Sequence, residues 1–342
     1  MASRKSPRRV YSRELPLHRF AKIEIEKNEK LSRKWQEKAE HELDEIPEKT
    51  KARIIQLRHM LAVTDTLPHG RRDDAFLLRF LRAKKFDVEK AYRMLLKYFS
   101  MKQHSAELFR VSPISQLHEL LKMQMQYMLP NRDSNGRQIY IFRVEKCDPY
   151  KCPVESVFRS NVLALENAVR EPETQIGGIV VLLDMAGAGL GHAKFLVPYL
   201  SRKTVEVIQE AFPLRFKAFH ILNQPFYFDA ILAVLKPFLK EKIRKRIYLH
   251  GKSLESLHNH IPKEILPAEY GGTQSNFDNT IWRKSILNDA EYFHHLEWYK
   301  NCIWDDEEDE DQSIFDENLS DSGSLNVNAI KQYIEECAFG TK

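Results

Sequence analysis

Four β-rich runs, at residues 138–144, 179–184, 218–223 and 247–250, are separated by stretches of helical periodicity near 154–170, 193–211 and 225–239. No other feature of the chain narrows the fold so far. Strands that alternate with helices are joined by crossovers, and such a pattern predicts an α/β domain: a mostly parallel sheet flanked by helices. Ahead of it, DDAFLLRFLRAKKF at 73–86 puts Phe76, Leu77, Phe80 and Leu81 on one helical face, and Asp87 stands where a cap would open a second helix through Tyr92, Leu95 and Tyr98. A small all-α subdomain is therefore expected before the sheet. The resulting divisions are a basic, largely disordered arm at 1–45, a helical subdomain at 46–110, the α/β domain at 111–275, a helical extension at 276–303 and a flexible acidic tail at 304–342.

The segment 225–251, PFYFDAILAVLKPFLKEKIRKRIYLHG, carries the strongest functional signal. Phe228, Ile231, Leu232, Leu235 and Leu239 share one helical face, and keeping five such side chains from water is worth on the order of 7 to 15 kcal/mol. Ordinary core is the common covering for such a face. Here it runs straight into Lys236, Lys240, Lys242, Arg244, Lys245 and Arg246, and a continued helix would set Lys242 and Arg246 at i, i+4. An arginine fork beside a lysine suits an anionic phosphate. At about 1 kcal/mol per basic side chain near an anionic membrane, the charges alone give weak attraction, so firm docking needs the apolar face too.

The net charge of +5 hides an asymmetry. Residues 304–342 hold twelve of the 48 acids and two of the 53 bases, leaving 51 bases against 36 acids, a net of +15, on residues 1–303. A basic body fits nucleic acid or an anionic membrane, and no nucleic-acid motif favours the first. Cys147, Cys152, Cys302 and Cys337 lack metal or disulfide spacing and read as free thiols. No apolar run approaches 18 residues and no secretory signal is evident, so a cytoplasmic protein that does not span a membrane is expected.

Enzyme signals fail on inspection. The loop AGAGLG at 186–191 follows a strand but is spaced G-x-G-x-G, with no acidic residue closing a second strand about twenty positions on, and reads as a strand-to-helix connection. GxSxG, HExxH and GxxxxGK[ST] are missing. His258, His260, His294 and His295 read as surface histidines, and no metal or cofactor is expected.

Five blocks taken together, DDAFLLRFLRAKKFD at 73–87, EPETQIGGIVVLLD at 171–184, FPLRFKAFHILNQP at 212–225, KPFLKEKIRKRIYLHG at 236–251 and ILPAEYGG at 265–272, resemble the CRAL-TRIO lipid-transfer family over residues 50–275. Within it the resemblance is to the branch of the alpha-tocopherol transfer protein and clavesin. It implies a non-enzymatic carrier with a helical N-terminal part, a sheet flooring a lipid pocket, and a mobile helical gate matching 225–239. By the same resemblance Arg82, Arg215, Lys242 and Arg246 grip a phosphoinositide headgroup. Phe158, Asn161, Leu165, Ile179, Leu183, Ile208 and Leu214 fall on pocket positions, Asn161 and Leu165 standing where the tocopherol binder has serines. A bound hydrophobic lipid is implied, tocopherol-, retinoid- or phospholipid-like, together with peripheral association with endosomal or other phosphoinositide-rich membranes. The other reading of the same branch is a phosphoinositide-binding endosomal or trans-Golgi trafficking adaptor that moves little lipid, its acidic tail recruiting trafficking proteins.

Overall fold

The computed structural model describes residues 31–63, 72–109, 114–189, 191–192 and 198–289. Most of the basic arm, the acidic tail, Cys302, Cys337, His294 and His295 lie outside the described residues, as does the side chain of Ile231.

Among the described residues six helices precede the sheet: α1 (Arg33–Leu43), α2 (Pro47–Val63), α3 (Asp74–Ala83), α4 (Val88–His104), the short α5 (Ala106–Phe109) and α6 (Ile114–Lys122). Asp87 caps α4 as expected, and Asp73 caps α3 in the same way. Each carboxylate accepts a backbone N–H three residues on, from Phe76 and from Lys90, both at 3.0 Å, which satisfies a donor the first turn leaves free. Phe76, Leu77, Phe80 and Leu81 are all buried. Phe80 meets Phe76 edge-to-face at 5.2 Å and Tyr98 at 5.4 Å, and Tyr98 reaches Phe212 at 6.1 Å. The helical layer thus shares one continuous core with the α/β part, through Leu163, Ile179 and Phe212.

The sheet has five strands in the order β1 (Gln126–Met128), β2 (Gln138–Arg143), β3 (Ile179–Asp184), β4 (Phe216–Leu222) and β5 (Ile247–Gly251). Only β1 is antiparallel to its neighbour. Spatial order equals chain order from β2 to β5, and right-handed crossovers between such strands must all fall on one face. Accordingly α7 (Val154–Ala168), α8 (Pro172–Gly177), α9 (Pro198–Glu206), α10 (Phe228–Leu235) and α11 (Glu241–Arg244) serve that face. The opposite face is left to the chain after β5, which includes α12 (Leu254–His258); α13 (Thr280–Asn288) then packs against α6.

Strand alternation sorts the side chains between the two faces. Ile139, Ile141, Val180, Leu182 and Leu222 pack with Leu257, Ile261, Leu266 and Tyr270 behind the sheet, while Tyr140, Phe142, Val181, Leu183, Phe219 and Ile221 point at the crossover helices. Gly177 and Gly178 let β3 enter this packing. A Cβ on Gly177 would stand 2.2 Å from the Gly136 carbonyl oxygen, and Gly178 has φ of +82° with the Arg215 carbonyl oxygen 2.5 Å from where its Cβ would be. Any side chain there would force the strands apart.

The helix expected over 225–239 is shorter. Regular α-helix stops at Leu235 and gives way to a 3₁₀ turn, Lys236–Phe238, because Pro237 lacks the N–H that the next helical bond requires. The chain restarts as α11 and ends it at Arg244, so Arg246 lies beyond the helix and the expected i, i+4 pairing with Lys242 does not form.

Candidate functional site: an apolar cavity, its helical cover and a basic patch

Between the sheet and its crossover helices lies a cavity of about 460 Å³. Its floor is Tyr140, Phe142, Val181, Leu183, Phe219 and Ile221; α7 supplies Phe158, Asn161 and Leu165; α9 and its extension supply Val205 and Ile208. Of the pocket residues read from the sequence, Phe158, Asn161, Leu165, Leu183 and Ile208 line it. Ile179 and Leu214 do not. Both are buried in the core beneath the N-terminal helices, Ile179 at the very start of β3 and Leu214 in the turn before β4, each beyond the end of the cavity.

Asn161 is engaged rather than open. Its Oδ1 accepts the Tyr140 hydroxyl at 2.7 Å and its Nδ2 donates to the Val157 carbonyl at 2.9 Å. Tyr140 is wholly buried, and burial holds its phenol neutral by raising its pKa well above the usual range.

The cover is α10 and the turn after it. Phe228, Leu232, Leu235 and Leu239 all face the cavity. Tethers sit at the two ends. Tyr227 Oη donates to the Ala188 carbonyl at 3.1 Å; Gln209 Nε2 donates to the Phe238 carbonyl at 3.0 Å while Gln209 Oε1 accepts the Lys240 N–H at 2.6 Å. Gln209 can do this because residues Val207–Ala211 form a π-turn, with Phe212 N–H on the Val207 carbonyl at 3.1 Å. The extra residue per turn aims Ile208 into the cavity and Gln209 at the cover.

The loop Ala186–Gly191, which read as a plain connection, forms part of the cavity wall through Ala188 and Gly189. Two aromatic rings stand outward beside it. Phe226 is 66% exposed, and Tyr150, packed by Gly191, is 90% exposed.

Because α10 leaves the C-terminal end of β4 and α11 returns the chain to the N-terminal end of β5, the far end of the cover arrives beside the start of β4. The basic residues collect there. Burial, then the neighbouring Arg246, Lys85 and Arg215, lower the Lys242 pKa. Burial first and then Arg215 push Lys217 down to about 8, with Glu42 opposing. Lys84 is lowered by burial and then by Lys240 and Lys242. Glu42 of α1 is the counter-ion. Burial alone would raise its pKa, yet a hydrogen bond from Lys38 and the fields of Lys217 and Arg215 hold it near 2. Arg215 and Lys217 each stand 3.5 Å from Glu42 Oε2, and an Arg246 guanidinium N–H donates to the Phe216 carbonyl.

Three of the four expected headgroup residues, Arg215, Lys242 and Arg246, therefore come together. Arg82 does not join them. It is 4% exposed, grips Glu45 with two nitrogens at 2.6 and 2.8 Å, and donates a third bond to Gln175 at 2.7 Å, so its fork is filled from inside. Lys84 and Lys85, at the exposed end of α3, take the place it was expected to hold. Lys217 was missed although strand alternation pairs it with Arg215, and nothing in the local sequence marks Glu42.

Behind the sheet, His220, His250 and His260 stack with Tyr248. Burial, and then the fields of His250 and His260, lower the His220 pKa to about 3. His258 Nε2 donates to the Tyr270 carbonyl at 2.7 Å, and the side chain is half-buried, not on the surface. Among the described residues no group of three His, Cys, Asp or Glu is arranged to hold a metal, and no helix is long and apolar enough to cross a membrane.

Comparison with known proteins supplies the context. Residues 121–272 match the model of the CRAL/TRIO domain and residues 33–97 that of the CRAL/TRIO N-terminal domain. The human alpha-tocopherol transfer protein-like protein is 38% identical over 256 residues, 75% of each chain. Human clavesin-2 is 38% identical over 264 residues, 77% of this chain and 80% of its own. A solved structure of Sfh5 matches 72% of this chain and 98% of its own at 14% identity, with a TM-score of 0.46.

Proposed function

The chain belongs to the CRAL/TRIO family, and from that premise we propose that it carries one small hydrophobic molecule in the cavity and exchanges it at membranes whose phosphoinositide headgroups its basic patch engages. The observation that supports this most is the coincidence of an apolar cavity, closed by a helix tethered at its ends, with a cluster of cations at one end of that helix. The volume falls within the ~300–1,000 Å³ of sites that enclose a drug-sized ligand. No bond is made or broken in this scheme.

The same apolar face explains why exchange needs a membrane. Burying a sixteen-carbon chain is worth on the order of 10 kcal/mol at about 0.8 kcal/mol per methylene, so unassisted release into water is very slow. At a bilayer, Phe228, Leu232 and Leu235 trade contact with cargo for contact with acyl chains. Phe226 and Tyr150 are placed to enter the interface first, and the patch supplies the electrostatic hold. Its counter-ion Glu42 is displaced by a more highly charged phosphate. The test is cargo transfer between vesicles, with and without phosphoinositide in the acceptor. Transfer is expected to accelerate with phosphoinositide; indifference to it would remove the patch from the mechanism.

A pH dependence follows from Lys217. Its charge is present below about pH 8 and lost above it. Between pH 7 and pH 9, affinity for phosphoinositide vesicles should therefore fall about fivefold, the worth of one cation near 1 kcal/mol. Lys217→Arg should flatten the profile, as measured by vesicle co-sedimentation. A bound phosphate moves the midpoint upward, because an anion favours the charged amine. The trafficking-adaptor reading, which the likeness to clavesin-2 allows, assigns partner recruitment to residues 304–342, outside the described residues.

A further inference from the structure

We propose that Glu42 decides which headgroups the basic patch accepts: its carboxylate stands in the anion's place, so that a lipid phosphomonoester dislodges it and a headgroup of single negative charge does not. This rests on the reading of the patch given above. Two observations carry it, and the first is where the carboxylate sits. Glu42 Oε2 stands 3.5 Å from Arg215 and 3.5 Å from Lys217, so one oxygen faces both cations. A charge-assisted bond closes to about 2.7–2.9 Å, and the carboxylate makes so tight a bond with neither. It meets the Arg215 fork through Nη2 alone. The Arg215 side chain is only 9% exposed, and its buried Nε has no hydrogen-bond partner among the described residues. A phosphate can take such a fork with two parallel bonds, which the resident carboxylate does not.

The second observation is the partner that Glu42 keeps. Its other oxygen, Oε1, accepts from Lys38 Nζ one turn back on α1. That pair lies within one helix and needs neither Arg215 nor Lys217. Both side chains are partly exposed, so Glu42 can turn away with Lys38 and remain paired. Displacement then costs no more than the two long contacts.

Charge decides which anions can make the exchange. A phosphomonoester carries about −1.5 to −2 at pH 7 on three acceptor oxygens, more of each than the carboxylate it replaces. A phosphodiester or a serine headgroup brings one net negative charge, no more than Glu42 already supplies, and gains nothing by entering. Glu42 competes throughout the neutral range: burial would raise its pKa, but Lys38, Lys217 and Arg215 hold it at about 2. Exposed Lys85 and Lys242 attract any anionic surface, so they give the patch reach without choice. The choice comes from the carboxylate.

The test is co-sedimentation of the full chain, as wild type, Glu42→Gln and Glu42→Asp, with phosphatidylcholine vesicles that carry phosphatidylserine, phosphatidylinositol or phosphatidylinositol 4-phosphate at equal total surface charge. Glu42→Gln should bind the first two about fivefold more tightly than wild type does, the effect of one unit charge at an anionic surface. Its affinity for the phosphomonoester vesicles should stay within about twofold, because Glu42 has already turned away in that complex. The preference for the phosphomonoester therefore narrows about fivefold. Glu42→Asp keeps the carboxylate and should keep the preference, and thermal melts of the same samples establish that folded proteins are compared. A preference that Glu42→Gln leaves unchanged would overturn the inference while the reading of the patch stands. A wild type that binds all three vesicles equally would remove that reading, and the inference with it.

Discussion

Reversing two charges, Lys242→Glu with Arg246→Glu, should lower affinity for phosphoinositide vesicles about 1,000-fold at low salt while cargo affinity in solution stays within twofold. Two cations are lost and two anions gained, each near 1 kcal/mol at an anionic surface, and about 4 kcal/mol corresponds to three decades. Neither side chain lines the cavity; Ile243, between them, does. Arg246 also donates to the Phe216 carbonyl, so the double variant carries a structural penalty near the start of β4. Lys242→Glu alone, on an exposed side chain, is the cleaner control and should cost about 30-fold, shrinking as salt screens the patch. Equal loss of vesicle and cargo binding would refute the division of labour between patch and cavity.

Arg82→Ala should destabilise the fold by about 3 kcal/mol or more, lowering Tm by roughly 10 °C, without weakening vesicle binding per folded molecule. The reason is the Glu45 carboxylate, which loses a two-nitrogen grip in a position where the pair's side chains are 5% and 13% exposed. Gln175 Oε1 loses its donor as well. Lys84→Ala provides the contrast, with near wild-type melting and a weaker vesicle complex. Thermal melts and co-sedimentation on the same samples separate the two. An Arg82→Ala protein of ordinary stability that no longer binds vesicles would return Arg82 to the patch.

The sheet was legible in the sequence because β2 to β5 are long enough to show their character, and the expected runs meet the observed strands to within two residues. β1 was not, since three residues, Gln126–Met128, give alternation nothing to act on. Asp87 announced its helix because a cap is a local interaction. Arg82 misled for the opposite reason. Sequence shows a basic residue in a basic block, whereas its fate is decided by Glu45 and Gln175, 37 and 93 residues away. Ile179 and Leu214 were read as pocket residues and lie in the core instead, because which apolar space a residue fills depends on where a strand starts relative to the cavity. Gln209 was invisible for a further reason, since nothing local signals the π-turn that frees it to hold the cover.

The most direct measurement is native mass spectrometry of the chain purified from cells, beside Leu183→Trp, which fills the cavity floor without touching the patch. The account predicts one hydrophobic molecule per wild-type chain, released by organic solvent, and none on Leu183→Trp, with vesicle affinity unchanged between the two. A wild-type protein that is consistently empty, or the same added mass on both proteins, would contradict it.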